Sequence, residues 1–303
     1  MTRGLLDIES LSRQEIEAIL ARSRHFQPAP GETFRRFDTL RGRTLVNLFF
    51  EASTRTRTSF EMAAKRLGAD VVSITAAGSS VSKGESLVDT LNTLVAMRPD
   101  AIVMRHAASG APHFLSRYLP VPIVNAGDGA HEHPTQALLD ARTILDRRDT
   151  LEGLRIAIIG DIAHSRVARS NVFLLSKFGV KVVLCGPAPL LPRDLKDIAP
   201  GVELTYDMRE ALRDVDVIMM LRVQLERQHE PPFPPNQYFQ FYGLRLEHIA
   251  LAKPNVIVMH PGPMNRGREI SSEVADSQQS AILNQVENGI AVRMAVLERV
   301  LVQ

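Results

Sequence analysis

Short apolar runs alternate with amphipathic stretches along most of the 303 residues. The run at 44–50, Thr-Leu-Val-Asn-Leu-Phe-Phe, has the β-branched and aromatic character of a parallel strand buried on both faces. Behind it Phe60, Ala63, Ala64 and Leu67 recur at helical spacing, and Gly68 stops the pattern. Ser12-Arg13-Gln14-Glu15 is a capping box, with Ile16, Ile19 and Leu20 marking an amphipathic first helix. The pattern then predicts strands at 70–75, 101–105 and 122–125, helices at 85–97 and 112–118, a turn at 126–129 and a helix over 137–148. A second series follows, with a strand opening at 154, a helix at 167–178 and a strand at 181–185. Further strands are predicted at 202–206, 215–221 and 256–259, and a long last helix at 281–301. Pro28, Pro30 and Gly31 mark a linker, and the proline-rich 230–236 reads as a mobile surface loop without regular structure.

Strands alternating with helices predict an α/β protein with parallel sheets. The length suits two similar-sized domains, 1–134 with a C-terminal helix at 285–303 packing back on it, and 135–284. Helices near 135–148 and 285–303 are expected to tie the two together. No repeat of solenoid period is visible, although both halves share the alternation.

Composition narrows the class. Hydrophobic residues at 45% and charged residues at 23% are those of an ordinary globular protein. A net charge of +2 is too small to indicate nucleic acid, so basic surface must be local. The single cysteine, Cys185, excludes an internal disulfide framework and follows the apolar 182–184, which predicts a buried strand-end thiol in a reducing cytosol. Charges at Arg3, Asp7, Glu9, Arg13, Glu15 and Glu17 are wrong for a secretory signal, and no apolar run is long enough to span a bilayer. A soluble cytoplasmic protein is the expectation.

The polar segment after the first long strand, Glu51 to Glu61, ends a strand and opens a helix. Ser53 or Thr54 is placed to cap that helix, and Arg55 and Arg57 stand where the macrodipole is already positive. Cations there need an anion, and unpaired backbone N–H groups beside hydroxyls favour phosphate. Lys83, at the start of the next helix beside Ser79, Ser80 and Ser82, repeats the pattern ahead of a capping box of Ser82 with Glu85. Arg105 ends an apolar strand, the edge where parallel sheets bind ligands.

His133 precedes Pro134-Thr135-Gln136 at a helix start, where an imidazole and an amide address a polar ligand. His131-Glu132-His133 has the wrong spacing and company for a metal site, and His131 reads as structural. Gly160-Asp161 opens a helix like a dinucleotide fold but lacks the glycine fingerprint, with Arg166 in the way. Arg166 and Arg169 lie one turn apart, so one is free to meet a ligand carboxylate while the other pairs at the surface. Arg222 and Gln224 follow another strand, and Pro261-Gly262-Pro263 exposes carbonyls that suit an amide NH₂. Cations, one histidine and amides, with no obvious base or nucleophile, suit transfer between two anionic substrates by positioning and electrostatics.

Phe-Phe-Glu-x-Ser-Thr-Arg-Thr-Arg at 49–57, Lys83-Gly84-Glu85, His133-Pro134-Thr135-Gln136, Arg222-Val223-Gln224 and His260-Pro261-Gly262-Pro263 closely resemble the aspartate branch of the carbamoyltransferase family. The resemblance spans nearly the whole chain in the same order. It implies condensation of carbamoyl phosphate with L-aspartate to N-carbamoyl-L-aspartate and phosphate, early in pyrimidine synthesis. It also implies a homotrimer with shared active sites, no metal or organic cofactor, and a possible larger assembly with regulatory chains or dihydroorotase. By position, Ser53, Thr54, Arg55 and Thr56 would cradle the phosphate, with Arg105 reaching phosphate and carbonyl. Thr56, Arg105 and His133 would polarise the carbamoyl C=O, while Gln136 and the backbone of Pro261, Gly262 and Pro263 would hold its NH₂. Arg166 and Arg222 would clamp the aspartate carboxylates with Gln224 near the amine, and Lys83, with Ser79 or Ser80, would arrive from the neighbouring subunit. Glu51 and Glu226 would orient the cations, and departing phosphate would take the proton.

The family often has proline where Ala52 stands, a change in loop stiffness more than in chemistry. An ornithine-specific relative typically carries His-Cys-Leu-Pro at 260–263, and its cationic co-substrate would suit Arg166 and Arg222 poorly. An inactive scaffold paralogue would have lost Arg55, Lys83 or His133, and all three are present. Closure of the domains, with the 230–235 loop folding over the bound substrates, is the expected means of excluding water.

Overall fold

The computed structural model describes residues 4–29, 31–75, 87–224 and 234–302. The chain divides into two compact units, Met1–Leu139 with Glu287–Gln303, and Asp140–Val286. The first contains β1 (Gly4–Leu5), α1 (Arg13–Phe26), β2 (Thr44–Phe49), α2 (Thr54–Arg66), β3 (Asp70–Thr75), α3 (Leu87–Ala96), β4 (Ala101–His106), α4 (Ala111–Ser116) and β5 (Ile123–Asp128). Helix α5 (Pro134–Leu145) begins in it and runs into the second unit. The second unit continues with β6 (Arg155–Ile159), α6 (Arg166–Ser176), β7 (Lys181–Cys185), β8 (Val202–Thr205), α7 (Met208–Ala211) and β9 (Val217–Met220). It closes with α8 (Pro235–Tyr242), α9 (Leu246–Ile249), β10 (Ile257–Met259), α10 (Ser272–Ala275) and the start of α11 (Ile282–Val302).

Each unit holds a five-stranded, wholly parallel sheet, ordered β1-β5-β4-β2-β3 and β10-β9-β6-β7-β8. In the first, the chain leaves β2 for β3 on one side and returns to β4 on the other. In the second, it leaves β6 for β7 and β8, then returns to β9 on the opposite side. Both sheets therefore have a switch point, where ligands bind beyond the strand ends in open α/β sheets. One core gathers Val46, Leu48, Leu91, Ile102, Met104 and Leu115. The other gathers Ala157, Val183, Ile218, Val258 and Ile270.

The capping box of α1 is present, with Glu15 N–H bonding Ser12 Oγ and Ser12 N–H bonding Glu15 Oε2, and Ile16, Ile19 and Leu20 are buried. Phe60, Ala63, Ala64 and Leu67 are fully buried. Three expectations change. The turn at 126–129 is instead the end of β5, because Asn125 Oδ1 takes the Gly127 N–H at 2.8 Å and Gly127, at φ 115°, lets the strand bulge against β4. Helix α5 starts at Pro134 and stops at Leu145, three residues earlier at each end than the pattern predicts, since proline is well suited to a first helical position. The proline-rich segment is also not all loop: Pro235 and Asn236 open α8 for the same reason, while 225–233 lie outside the described residues. Strand β1, two residues long, and the single-turn helices α7, α9 and α10 have too little periodicity to be read from sequence. The expected capping box at 82–85 lies outside the described residues.

Past β1, Asp7 ties the first segment to α4, accepting from Ser10 N–H and meeting His113 Nε2, both at 2.6 Å. Burial pushes the Asp7 pKa up, but the bonds from His113 and Ser10 outweigh it and hold it at about 2, against 3.8 ordinarily. A carboxylate depressed on folding adds stability that is complete above the unfolded value and is lost as pH falls through the folded one. Between pH 4 and pH 2 this group is expected to cost the wild type about 2 kcal/mol. Urea unfolding at each pH checks it: Asp7→Asn should flatten that part of the profile, and an unchanged slope would assign the acid sensitivity elsewhere.

Candidate functional site

At the switch point of the first sheet, β2 runs through Phe50 and Glu51 into α2. Of the two residues placed to cap α2, Ser53 is the N-cap and Thr54 the first helical residue, but the Ser53 hydroxyl makes no capping bond. The first turn of α2 carries no acidic residue, so no carboxylate of that turn stands among the outward N–H groups of the helix start, and Arg57 lies within electrostatic reach of Glu61 further along the helix. Thr56 is buried at 8% exposure, while Arg55 is exposed.

Beside it β4 delivers Arg105, whose Nε lies 3.3 Å from Glu51 Oε2 and whose Nη1 donates to Ala126 O at 3.4 Å. Glu51 thus orients the guanidinium, in the role expected of it. The next residue, His106, accepts the Ala108 N–H on Nδ1 at 2.9 Å, and burial lowers its pKa. His133, Thr135 and Gln136 are all buried around the start of α5.

The loop before His133 is held by two carboxylates that sequence reasoning missed. Asp128, fully buried, takes N–H groups from Asn125 Nδ2 at 2.8 Å, Glu132 at 3.1 Å and Gly110 at 2.6 Å, and meets His131 Nδ1 at 3.1 Å. Burial raises its pKa, and the bonds from His131, Asn125 and Gly110 more than reverse that. Glu132, equally buried, accepts Ile8 and Glu9 N–H at 3.0 and 3.2 Å. His131 is therefore part of a brace, the structural role its sequence context predicts. Among the described residues His113, Asp128 and His131 offer ligand-type atoms within 4.8 Å of one another. The donors already on Asp128 fit that brace.

At the switch point of the second sheet, Gly160 follows β6 with φ 140°, and a Cβ there would sit 3.0 Å from Leu221 Cβ, so only glycine lets the two strand ends approach. Asp161, fully buried, accepts His164 Nδ1 at 2.8 Å on one oxygen and Gln224 N–H at 3.4 Å on the other. Gln224 Nε2 returns to His164 O at 3.2 Å, so the loops after β6 and β9 are stitched together. Arg166 is the first residue of α6, buried at 4% exposure behind the N-cap Ser165, whose Oγ accepts Ala168 N–H at 3.1 Å.

Arg222 is half-buried, and the neighbouring Val223 N–H reaches the buried Glu269 at 3.3 Å. Glu269 also takes both Asn265 donors, at 3.2 Å from N and 3.0 Å from Nδ2, and burial raises its pKa. Of Arg166 and Arg169, one of which is expected to pair at the surface, Arg169 is half-buried and makes no ion pair among the described residues. Cys185 is a free, buried thiol with its pKa pushed by burial to about 12, which makes it inert at neutral pH.

In chemical terms the first unit presents hydroxyls, helix N–H groups and arginine, the donor set of a phosphate site. The second presents two arginines and an amide. Lys83, Ser79, Ser80 and Glu226 lie outside the described residues. Among the described residues no helix is long and apolar enough to cross a membrane. Asp128, Glu132, Asp161 and Glu269 could be suspected from sequence only as charges set beside glycine or apolar runs.

Comparison with known proteins gives this donor set a context. Residues 3–146 match the model of the aspartate/ornithine carbamoyltransferase carbamoyl-P binding domain, and 152–300 that of its Asp/Orn binding domain. The aspartate carbamoyltransferase catalytic subunit of Solibacter usitatus is 76% identical over 99% of this chain and 100% of its own length. That of Geobacter sulfurreducens is 53% identical, covering 98% and 96%. Among solved structures, aspartate transcarbamoylase from Trypanosoma cruzi in complex with N-(phosphonacetyl)-L-aspartic acid superposes with a TM-score of 0.89 at 34% identity, covering 98% of this chain and 95% of that one. Ornithine carbamoyltransferase from Pyrococcus furiosus follows at 0.88 and 30%, covering 98% and 96%. Two family models in tandem, a 76% identical relative and the match of folds place this chain in the aspartate/ornithine carbamoyltransferase family.

Proposed function

We propose that the chain transfers the carbamoyl group of carbamoyl phosphate to the amine of L-aspartate, giving N-carbamoyl-L-aspartate and phosphate at an early step of pyrimidine synthesis. The observation that carries the reading is the placement of Arg166 and Arg222, with Gln224 stitched beside them, at the switch point of the second sheet. Two arginines match a dicarboxylate and repel the side-chain ammonium of ornithine. The catalytic subunits at 76% and 53% identity support the same choice.

In this reading the N-terminal unit binds carbamoyl phosphate and the second unit binds aspartate. Ser53, Thr54, Arg55 and Thr56 hold the phosphate through hydroxyls, helix N–H groups and the guanidinium. Arg105, oriented by Glu51, bridges phosphate and carbonyl. The aspartate amine attacks the carbamoyl carbon with its lone pair. Charge builds on the carbonyl oxygen, where Thr56, Arg105 and His133 stabilise it. The bond from carbon to the phosphate oxygen then breaks, its electron pair leaves with phosphate, and phosphate takes the amine proton. Gln136 and the carbonyls of 261–263 hold the carbamoyl NH₂, and no cofactor enters the balance. Lys83, with Ser79 or Ser80, is proposed to reach a neighbouring subunit's site, which calls for a homotrimer, and the cytoplasm is the proposed compartment.

A colorimetric assay for carbamoylaspartate tests the activity, with ornithine in place of aspartate as the control. Product from ornithine alone would reverse the substrate assignment. Arg55→Ala is expected to lower turnover by about a hundredfold or more while the circular dichroism stays unchanged, and a loss within about tenfold would remove the phosphate role. Arg222→Ala should raise the KM for aspartate at least about tenfold and leave that for carbamoyl phosphate within about threefold. Equal rises in both would place Arg222 outside the aspartate clamp.

A further inference from the structure

A chain of hydrogen bonds inside the second unit leads from a buried carboxylate to the loop at 260–263. Asp140, on α5, is 1% exposed and accepts Asn171 Nδ2 at 2.8 Å and Gln285 Nε2 at 2.7 Å. Gln285, on α11, turns its other end to the strand terminus, where Oε1 accepts the His260 N–H at 2.9 Å. His260 then uses Nδ1 to accept the Gly262 N–H at 2.8 Å. The order of donors and acceptors in this series has a direction. The amide of Gln285 is oriented because only its NH₂ end suits the carboxylate and only its oxygen suits His260 N–H.

A cavity of about 10 Å³ borders the same residues, lined by Asp140, Asn171, His260, Pro261 and Gln285 among others. The void leaves Pro261 some room to shift, and the bonds at His260 N–H and Gly262 N–H hold the backbone on both sides of it.

We infer that Asp140 and Gln285 are positioning residues for carbamoyl transfer: they set the 260–263 backbone that receives the carbamoyl NH₂, without touching substrate. The inference rests on the carbamoyl-transfer reading above. It predicts selectivity, since an error in this loop affects the amide end of carbamoyl phosphate and leaves the phosphate end, held by Ser53 to Thr56, unchanged.

Asp140→Asn tests it at constant size. The new NH₂ faces a donor on either side, Gln285 Nε2 or Asn171 Nδ2: flipping Gln285 only moves the donor clash to His260 N–H, and flipping Asn171 gives up its bond to Val167 O. The expected result is a fall of about tenfold in kcat/KM for carbamoyl phosphate, the scale of one mispaired hydrogen bond. The inhibition constant of inorganic phosphate should stay within about twofold. Adding Gln285→Glu restores the series, because the amide introduced at position 140 then donates to the new carboxylate, which still accepts His260 N–H. The double variant should return to within about threefold of wild type. Gln285→Met serves where Asp140→Asn does not fold, with the same split expected. Wild-type kinetics in Asp140→Asn, a double variant no better than the single, or equal changes in the carbamoyl phosphate and phosphate constants would each overturn the inference. A wild-type protein without carbamoyl transfer would overturn the reaction reading and this inference with it, whereas an active wild type with a silent variant overturns the inference alone.

Discussion

A parallel strand whose neighbours are reached by crossovers in opposite directions leaves an opening beyond its C-terminal end, because the helices on either side diverge there. Strand β2 has that place in one unit and β6 in the other. Among the described residues, much of the candidate chemistry is attached to those two ends or to the strand added beside them. Glu51, Ser53 and Arg55 follow β2, Arg105 ends β4, Asp161 and Arg166 follow β6, and Arg222 follows β9. Within each unit, residues far apart in sequence are thereby brought to one edge of its sheet, arginines beside the carboxylates Glu51 and Asp161.

Holding several cations at a sheet edge requires loops that do not drift away from one another. Buried carboxylates provide this. Asp128, Glu132, Asp161 and Glu269 each accept backbone N–H groups from a loop other than, or beyond, their own turn. Charge-assisted bonds to N–H groups are among the stronger ones available in a dry interior. They also explain the opposite pKa behaviour of two of these acids. Asp128, with a histidine and three N–H donors, is held below the ordinary carboxylate range, while burial of Glu269 prevails over its donors and raises it. Asp140 extends the same device to a loop two residues removed, through Gln285 and His260.

Much of this was legible in the residues. Buried parallel strands are continuous apolar runs, so β2, β7 and the body of β4 stand out with almost correct ends. The capping box of α1 and a cap for α2 at Ser53 or Thr54 follow from local chemistry in the same way, whereas the orienting role of Glu51 comes from the family resemblance. Short elements escaped, because two or four residues hold no full period. The end of β5 was misread since Gly127 and Gly129 look like a turn, whereas the Asn125 and Asp128 side chains keep that backbone extended.

Alone, the sequence determined the alternation of strands and helices, the parallel sheets, and which cations stand at strand ends and helix starts. These are properties of a few consecutive residues, set by apolar periodicity and by the orphan N–H groups of a helix terminus. Only the tertiary structure decided the strand orders, and with them which two strand ends become neighbours. It alone revealed Asp128, Asp140, Asp161 and Glu269 as supports, because a carboxylate in sequence is merely a charge. Its role depends on burial and on donors that arrive from residues up to 145 positions away.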